Sequence, residues 1–155
     1  MAIEFDLPAP HTLSLAVQSA DIDAYNHVNN AVYLTWCDRA AWDHSAKLGL
    51  PIERCLQMDK GMAVLKTTLV YLRPALRDDT VTVATWLLPS ESRLRVGRHF
   101  QIVRPMDGVT LARAQIDYAC IELSSGRPAR WPQAFRDSYA SLPTTQEALS
   151  ALPKL

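Results

Sequence analysis

Residues 21–48 read DIDAYNHVNNAVYLTWCDRAAWDHSAKL, with two acids, three asparagines and a histidine just ahead of the longest helical pattern in the chain. From Ala31 to Leu48 there is neither Pro nor Gly. Tyr33, Trp36, Cys37, Ala40, Ala41, His44 and Leu48 recur at the spacing of one helix face. A helix over that span is about 27 Å long. Asn30 is a suitable N-cap, and Gly49 followed by Pro51 is a suitable stop. Ala, Trp, Val and Leu also lie off the main stripe, so the helix is expected to be buried round much of its circumference. Such a helix needs something wrapped around it.

The flanking sequence supplies the wrapping. His11–Ala20 alternates Leu13, Leu15 and Val17 with polar neighbours, as a half-buried strand does. Pro51–Met58 suits one short helical turn, and Lys60-Gly61 is expected to break the chain before the strand MAVLKTTLVYLRPAL at residues 62–76. Thr80–Leu88 alternates strictly. Arg93–Pro105 places Leu94, Val96, Phe100 and Ile102 on one face against Arg93, Arg95, His99 and Gln101 on the other, with Arg98 the polar exception on the apolar side. Asp107-Gly108 turns the chain into a long fifth strand from Val109. Gly126 and Pro128 close the sheet region, and Pro132–Leu142 reads as a terminal helix with Pro132 in its first turn. The order predicts an α+β domain over residues 11–142, an antiparallel five- or six-stranded sheet around one long central helix. Residues 1–10 read as a loosely held N-terminal arm and 143–155 as a tail. An open sheet edge and leftover apolar helix surface predict a homodimer, with a tetramer built as a dimer of dimers also compatible.

Composition excludes several classes. The 155 residues are 48% hydrophobic, enough for one domain with a substantial core. Sixteen basic residues balance sixteen acidic ones, which argues against a nucleic-acid partner. The opening MAIEFDLPAPHTL has no apolar run, so neither a signal peptide nor a membrane-spanning segment is expected, and the protein is expected to be cytoplasmic. Cys37, Cys55 and Cys120 are odd in number and far apart, as reduced, buried thiols are. His11, His44 and His99 lack ligand spacing, so no metal is expected. With five glycines and no phosphate loop, no nucleotide cofactor is expected either, and the absence of a GxSxG elbow removes the serine-hydrolase route.

Three motifs carry a resemblance. Asp21-Ile22-Asp23 with His27-Val28-Asn29-Asn30 and Tyr33, then Tyr71-Leu72-Arg73-Pro74-Ala75 with Asp79, then RPMDGVTLA at residues 104–112, together resemble the hotdog-fold acyl-CoA thioesterases of the 4-hydroxybenzoyl-CoA thioesterase type. The likeness spans roughly residues 12–128. It implies a hotdog fold, a dimer with acyl-CoA sites at its interface, and Asp23 as the catalytic carboxylate. In the related plant acyl-carrier-protein thioesterases the same acid is followed by an Asn and then a His, at places held here by Tyr25 and His27. The histidine is kept and the asparagine is not, with Asn26 next to the vacant place. Another branch uses a Glu on the long helix, where this chain has only Asp38 and Asp43.

Thioester hydrolysis needs a group that activates water or attacks the carbonyl, and donors for the developing oxyanion. Asp23 suits the first. The backbone N–H groups of Asn29, Asn30 and Ala31, at a helix N-terminus, suit the second. Asp residues before a helix also serve simply as turn formers. His27 is suited to orienting the carboxylate, polarising the thioester or assisting the thiolate, and equally to bonding a backbone carbonyl. Arg93, Arg95 and Arg98 are candidates for the phosphates of coenzyme A, or members of a solvated face. The leading expectation is hydrolysis of a medium-chain or aromatic acyl-CoA. The alternative is a hotdog protein that binds acyl-CoA without cleaving it.

Overall fold

The computed structural model describes residues 2–155. Strand β1 (His11–Ala16) leads through a single 3-10 turn (Ser19–Asp21) and a loop into helix α1 (Asn30–Lys47) and a short helix α2 (Ile52–Met58). Strands β2 (Lys60–Tyr71), β3 (Thr80–Leu87), β4 (Arg95–Arg104) and β5 (Val109–Glu122) follow, and two short helices, α3 (Gln133–Ser138) and α4 (Pro143–Glu147), close the chain. The five strands form one antiparallel sheet in the order β1-β3-β4-β5-β2. Helix α1 lies on one face of it, packing Tyr33, Trp36, Cys37, Ala40 and Ala41 against Val81, Val83, Phe100, Ile102 and Leu111. This is the expected hotdog arrangement, α+β with a sheet curved about one long helix.

Several local expectations shift. The cap of α1 is Asn29 rather than Asn30, its side-chain oxygen accepting the Ala31 N–H at 2.9 Å. Both residues are good caps chemically, and only the backbone decides. The break before β2 falls at Asp59, which ends α2 in the left-handed region at φ 54°, while Lys60 and Gly61 already belong to the strand. Pro132 precedes α3 as its cap rather than opening its first turn. Helix α1 is buried on one side only. Leu34 and Trp42 remain 40% and 46% exposed, because a single sheet covers a single face.

The arm is not loosely held. Leu7 is 2% exposed and packs with Ala84 and Trp86 on the sheet face away from α1, joined by Phe5, Ala148 and Leu152. Both ends of the chain therefore meet on that face. Its polar side chains are ordered by the arm. Asp6 accepts from Arg113 at 2.8 and 2.9 Å and contacts His99 Nε2 at 2.8 Å. Gln101 accepts the Asp6 N–H at 2.8 Å and donates to the Glu4 carbonyl at 3.1 Å. The Trp86 indole donates to the Pro8 carbonyl at 2.8 Å. His99 and Gln101, expected on a polar outer face, are thus buried beneath residues more than ninety positions away.

Burial by itself would raise the Asp6 carboxyl, but hydrogen bonds and charge from His99 and Arg113 outweigh it and hold the group below 3.8. A depressed folded-state value stabilises the fold above the unfolded value and loses that contribution as pH falls through the folded one. Asp6→Asn is therefore expected to cost about 2 kcal/mol or more at neutral pH. In urea titrations the gap from wild type should close as pH drops below 3.8.

Candidate active site

Residues Ile22–Val28 form a closed loop between β1 and α1, sealed by a bridge between Ile22 and Val28 and by the Asp23 N–H donating to the His27 carbonyl at 2.8 Å. Asn26 turns the loop at φ 59°, a conformation Asn tolerates better than most residues. Asp23 uses one carboxylate oxygen, Oδ1, to accept the N–H groups of Tyr25 at 2.9 Å and His27 at 3.4 Å. Its Oδ2 has no hydrogen-bond partner among the described residues. Asp21 is differently employed. Its Oδ2 accepts the Gln18 N–H at 2.7 Å, and its carbonyl accepts the Asn29 N–H at 2.8 Å. The turn-former reading holds in full for Asp21 and for one oxygen of Asp23.

Of the three amides read as oxyanion donors, two are occupied. Asn29 N–H is bonded to Asp21 and Ala31 N–H to the Asn29 side chain, which leaves Asn30 N–H at the start of α1. The Asn30 carbonyl accepts the Tyr71 hydroxyl at 2.8 Å. His27, Asn30, Tyr33, Tyr71 and Arg73 line one open pocket of about 230 Å³. The imidazole of His27 is exposed and bonds no backbone carbonyl among the described residues.

The loop is positioned by Ala75, which is fully buried. Its carbonyl accepts the Val28 N–H at 3.0 Å, and its own N–H donates to the Tyr33 hydroxyl at 2.8 Å. Behind it, Asp79 Oδ2 accepts the Leu76 N–H at 2.9 Å and pairs with Arg104 at 3.2 Å, and Arg104 is forked onto Asp107 at 2.8 and 3.0 Å. The Asp107 hydrogen bonds lift the Arg104 guanidinium further above its ordinary value, so the clamp stays charged. The three sequence motifs, far apart in the chain, converge on this one cluster.

A groove runs from the same helix start along the open side of α1. Ala31, Leu34, Thr35 and Asp38 face Val64, Thr67, Ile116 and Tyr118 across a space of about 400 Å³. It continues past Trp42 and Met62 into a narrow inner part of about 80 Å³ that ends at Ser45, Arg98 and Tyr139. Loss of solvent in this groove raises the Asp38 carboxyl above its ordinary range.

The three arginines separate. Arg93 and Arg95 are exposed, and Arg93 lines a surface depression of about 640 Å³ with Arg136, Ser90 and Ser92. Arg98 does not join them. It is 3% exposed, its guanidinium bound to His44 Nδ1 at 2.7 Å and donating to Ser45 Oγ at 3.1 Å. Sequence reasoning missed this inner cluster. Its one signal was an arginine on the apolar side of a strand.

The sequence profile of the thioesterase-like superfamily matches residues 17–139. The chain belongs to that superfamily. It is 28% identical over 115 residues to the long-chain acyl-CoA thioesterase FadM of Escherichia coli, covering 72% of this chain and 83% of that one. A chloroplastic acyl-acyl carrier protein thioesterase of Arabidopsis thaliana is 22% identical over 118 residues, 76% of this chain but only 52% of the plant protein. Solved structures share the fold. A 1,4-dihydroxy-2-naphthoyl-CoA thioesterase from Synechocystis superposes with TM-score 0.76 at 22% identity, covering 84% of this chain and 96% of its own. A Staphylococcus aureus protein solved in complex with CoA gives 0.78 at 17% identity, covering 96% and 89%. Within the superfamily this chain is a thioesterase-type enzyme with acyl-CoA thioesterases among its relatives.

Tyr33→Phe leaves the buried Ala75 N–H without an acceptor and is expected to cost about 1–3 kcal/mol in chemical denaturation. Because Ala75 also holds Val28, amide exchange in the 22–28 loop should accelerate more than exchange in β3.

Proposed function

We propose that the protein hydrolyses acyl-CoA thioesters, with Asp23 as general base or nucleophile and a medium-chain or aromatic acyl group lying in the groove along α1. The observation that carries this reading is the division of the Asp23 carboxylate: Oδ1 is fixed by loop amides while Oδ2 has no partner among the described residues, in the loop that leads into a helix whose Asn30 N–H is likewise unpaired among them. As a base, Asp23 takes a proton from water as the hydroxide adds to the thioester carbonyl. The Asn30 N–H, at the positive end of α1, steadies the oxyanion. The C–S bond then breaks and the thiolate of CoA takes up the proton, a transfer in which His27, exposed on the same loop, is the proposed assistant. The acyl preference rests on the width of the groove, narrowed by Trp42 and Tyr118 toward its inner end. Of the relatives, one is named for a naphthoyl substrate and one for long chains, so the medium-chain part of the reading rests on the groove alone. Arg93 and Arg95 are exposed but lie at the Arg98 end of β4, opposite the Arg104 end that adjoins the Asp23 loop, so a CoA whose acyl chain fills this groove would carry its phosphates away from them.

A panel of acyl-CoAs separates hydrolysis from binding alone, since a protein that only holds the ligand releases no CoA. With the preferred substrate, Asp23→Asn is expected to lower kcat by about 10²–10⁴-fold with little change in KM. The amide keeps an oxygen for the Tyr25 and His27 N–H groups, so the loop should survive. Asp21→Asn should cost far less. Equal losses at both positions would assign the effect to loop geometry instead.

The working unit is proposed to be a homodimer joined along β2, an edge strand whose Val64 is 55% exposed beside the uncovered Leu34 and Trp42 of α1. Sedimentation at micromolar concentration is expected to give a dimer or a dimer of dimers, and a stable monomer would exclude this assembly.

A further inference from the structure

The inner end of the groove closes on a cation that has no anion. Arg98 projects from β4 between α1 and Tyr139, with its guanidinium carbon 5.9 Å from the centre of the Tyr139 ring. Among the described residues it forms none of the ion pairs that Arg104 and Arg113 form. Its fixed partners are a serine hydroxyl, an aromatic face and the Nδ1 of His44, whose imidazole is pushed down to about 3 by burial and by Arg98 itself and so stays neutral. The acid nearest along the groove, Asp38, lines the same cavity without pairing. Holding a charge out of water among neutral partners costs several kcal/mol. Tying β4 to Ser45 and a neutral imidazole does not require a full charge. A positive end wall does serve an incoming anion, because a guanidinium pairs with a carboxylate in a planar fork that an apolar channel strengthens.

We propose that Arg98 is the specificity-determining residue of the acyl groove, taking acyl groups that carry a carboxylate at the end remote from the thioester. This rests on the groove being the acyl site. Between the helix start and Arg98 the apolar part of the wall is Leu34, Trp42, Val64 and Tyr118, suited to the methylenes of such a chain, and Asp38, whose carboxyl burial raises above its ordinary range, is the acid that lines the same path. Helix rise separates Ala31 from Ser45, which the guanidinium touches, by about 21 Å, so it takes a chain at the upper end of the medium range, with a hydrogen bond at each end, to span it.

The test uses matched CoA thioesters of dodecanoic, ω-hydroxydodecanoic and dodecanedioic acids, with their decanoyl counterparts. Wild type is expected to favour the ω-carboxy over the unsubstituted chain by about tenfold to a hundredfold in kcat/KM, the worth of one charge-assisted hydrogen-bonded pair. Arg98→Met should reverse that ratio and Arg98→Lys should keep part of it. A wild-type preference for the unsubstituted chain, or an ω-carboxy preference that survives in Arg98→Met, overturns the proposal. If Arg98→Met fails to fold, the wild-type and Arg98→Lys ratios still decide. If no thioester is cleaved, the hydrolytic reading fails by itself, and calorimetry with non-cleavable thioether analogues decides this one. Tighter binding of the ω-carboxy analogue supports it, and equal binding overturns it.

Discussion

Ala75 is the residue on which the site geometry depends, although its side chain is a single methyl group. It has no access to solvent, so both its backbone polar groups must find partners inside the protein. The partners are the Val28 N–H, at the end of the Asp23 loop, and the Tyr33 hydroxyl, one turn into α1. One peptide segment thereby fixes a loop and a helix relative to each other. The segment is held in turn by Asp79 and Arg104, so a pair of charges at the sheet rim is coupled through backbone hydrogen bonds to the carboxylate of Asp23. Such an arrangement fixes the loop that carries Asp23, as the role proposed for that carboxylate requires.

This explains which parts of the molecule were legible in the sequence. The extent of α1 was readable because nothing between Ala31 and Lys47 opposes a helix and because Gly49 sits at φ 92°, where a side chain would be strained. The strands were readable wherever one face is apolar and the other polar. The three motifs could be recognised one by one, but only the fold shows that they are parts of a single clamp. The cap slipped by one residue because Asn29 and Asn30 are chemically equivalent candidates. The role of the arm was invisible for a different reason. Phe5, Asp6 and Leu7 have no periodicity, and their partners on β3, β4 and β5 lie far along the chain, where local pattern carries no information.

The arm also changes how the sheet should be understood. Alternation along β4 correctly places His99 and Gln101 opposite Phe100 and Ile102, yet polar residues on a strand do not imply a wet face. Here they bind a polar backbone segment, and the apolar Leu7 and Trp86 fill the space beside it. The sheet is therefore covered on one side by α1 and on the other by the chain's own ends. The flank of α1 beside β2, where the groove lies, is left open. Exposed Leu34, Trp42 and Val64 are concentrated there, and exposed apolar side chains that line one groove suit a bound chain or a partner better than water.

Three arginines on the sheet show the same contrast in charge. Arg104 and Arg113 each meet carboxylates at 2.8 Å, and each tie closes one structural junction, the clamp behind Ala75 and the seat of the arm. Arg98 is more deeply buried than either, where the cost of an unpaired charge is greatest, and it is the one given only neutral partners. Burial alone lowers its guanidinium from the ordinary value, yet arginine retains its proton in nearly every protein setting. Stability would be served as well by an acid at position 44 or 45, each of which already touches Arg98. Both positions instead hold side chains that orient the guanidinium without neutralising it, and its charge is left to act on whatever enters the groove.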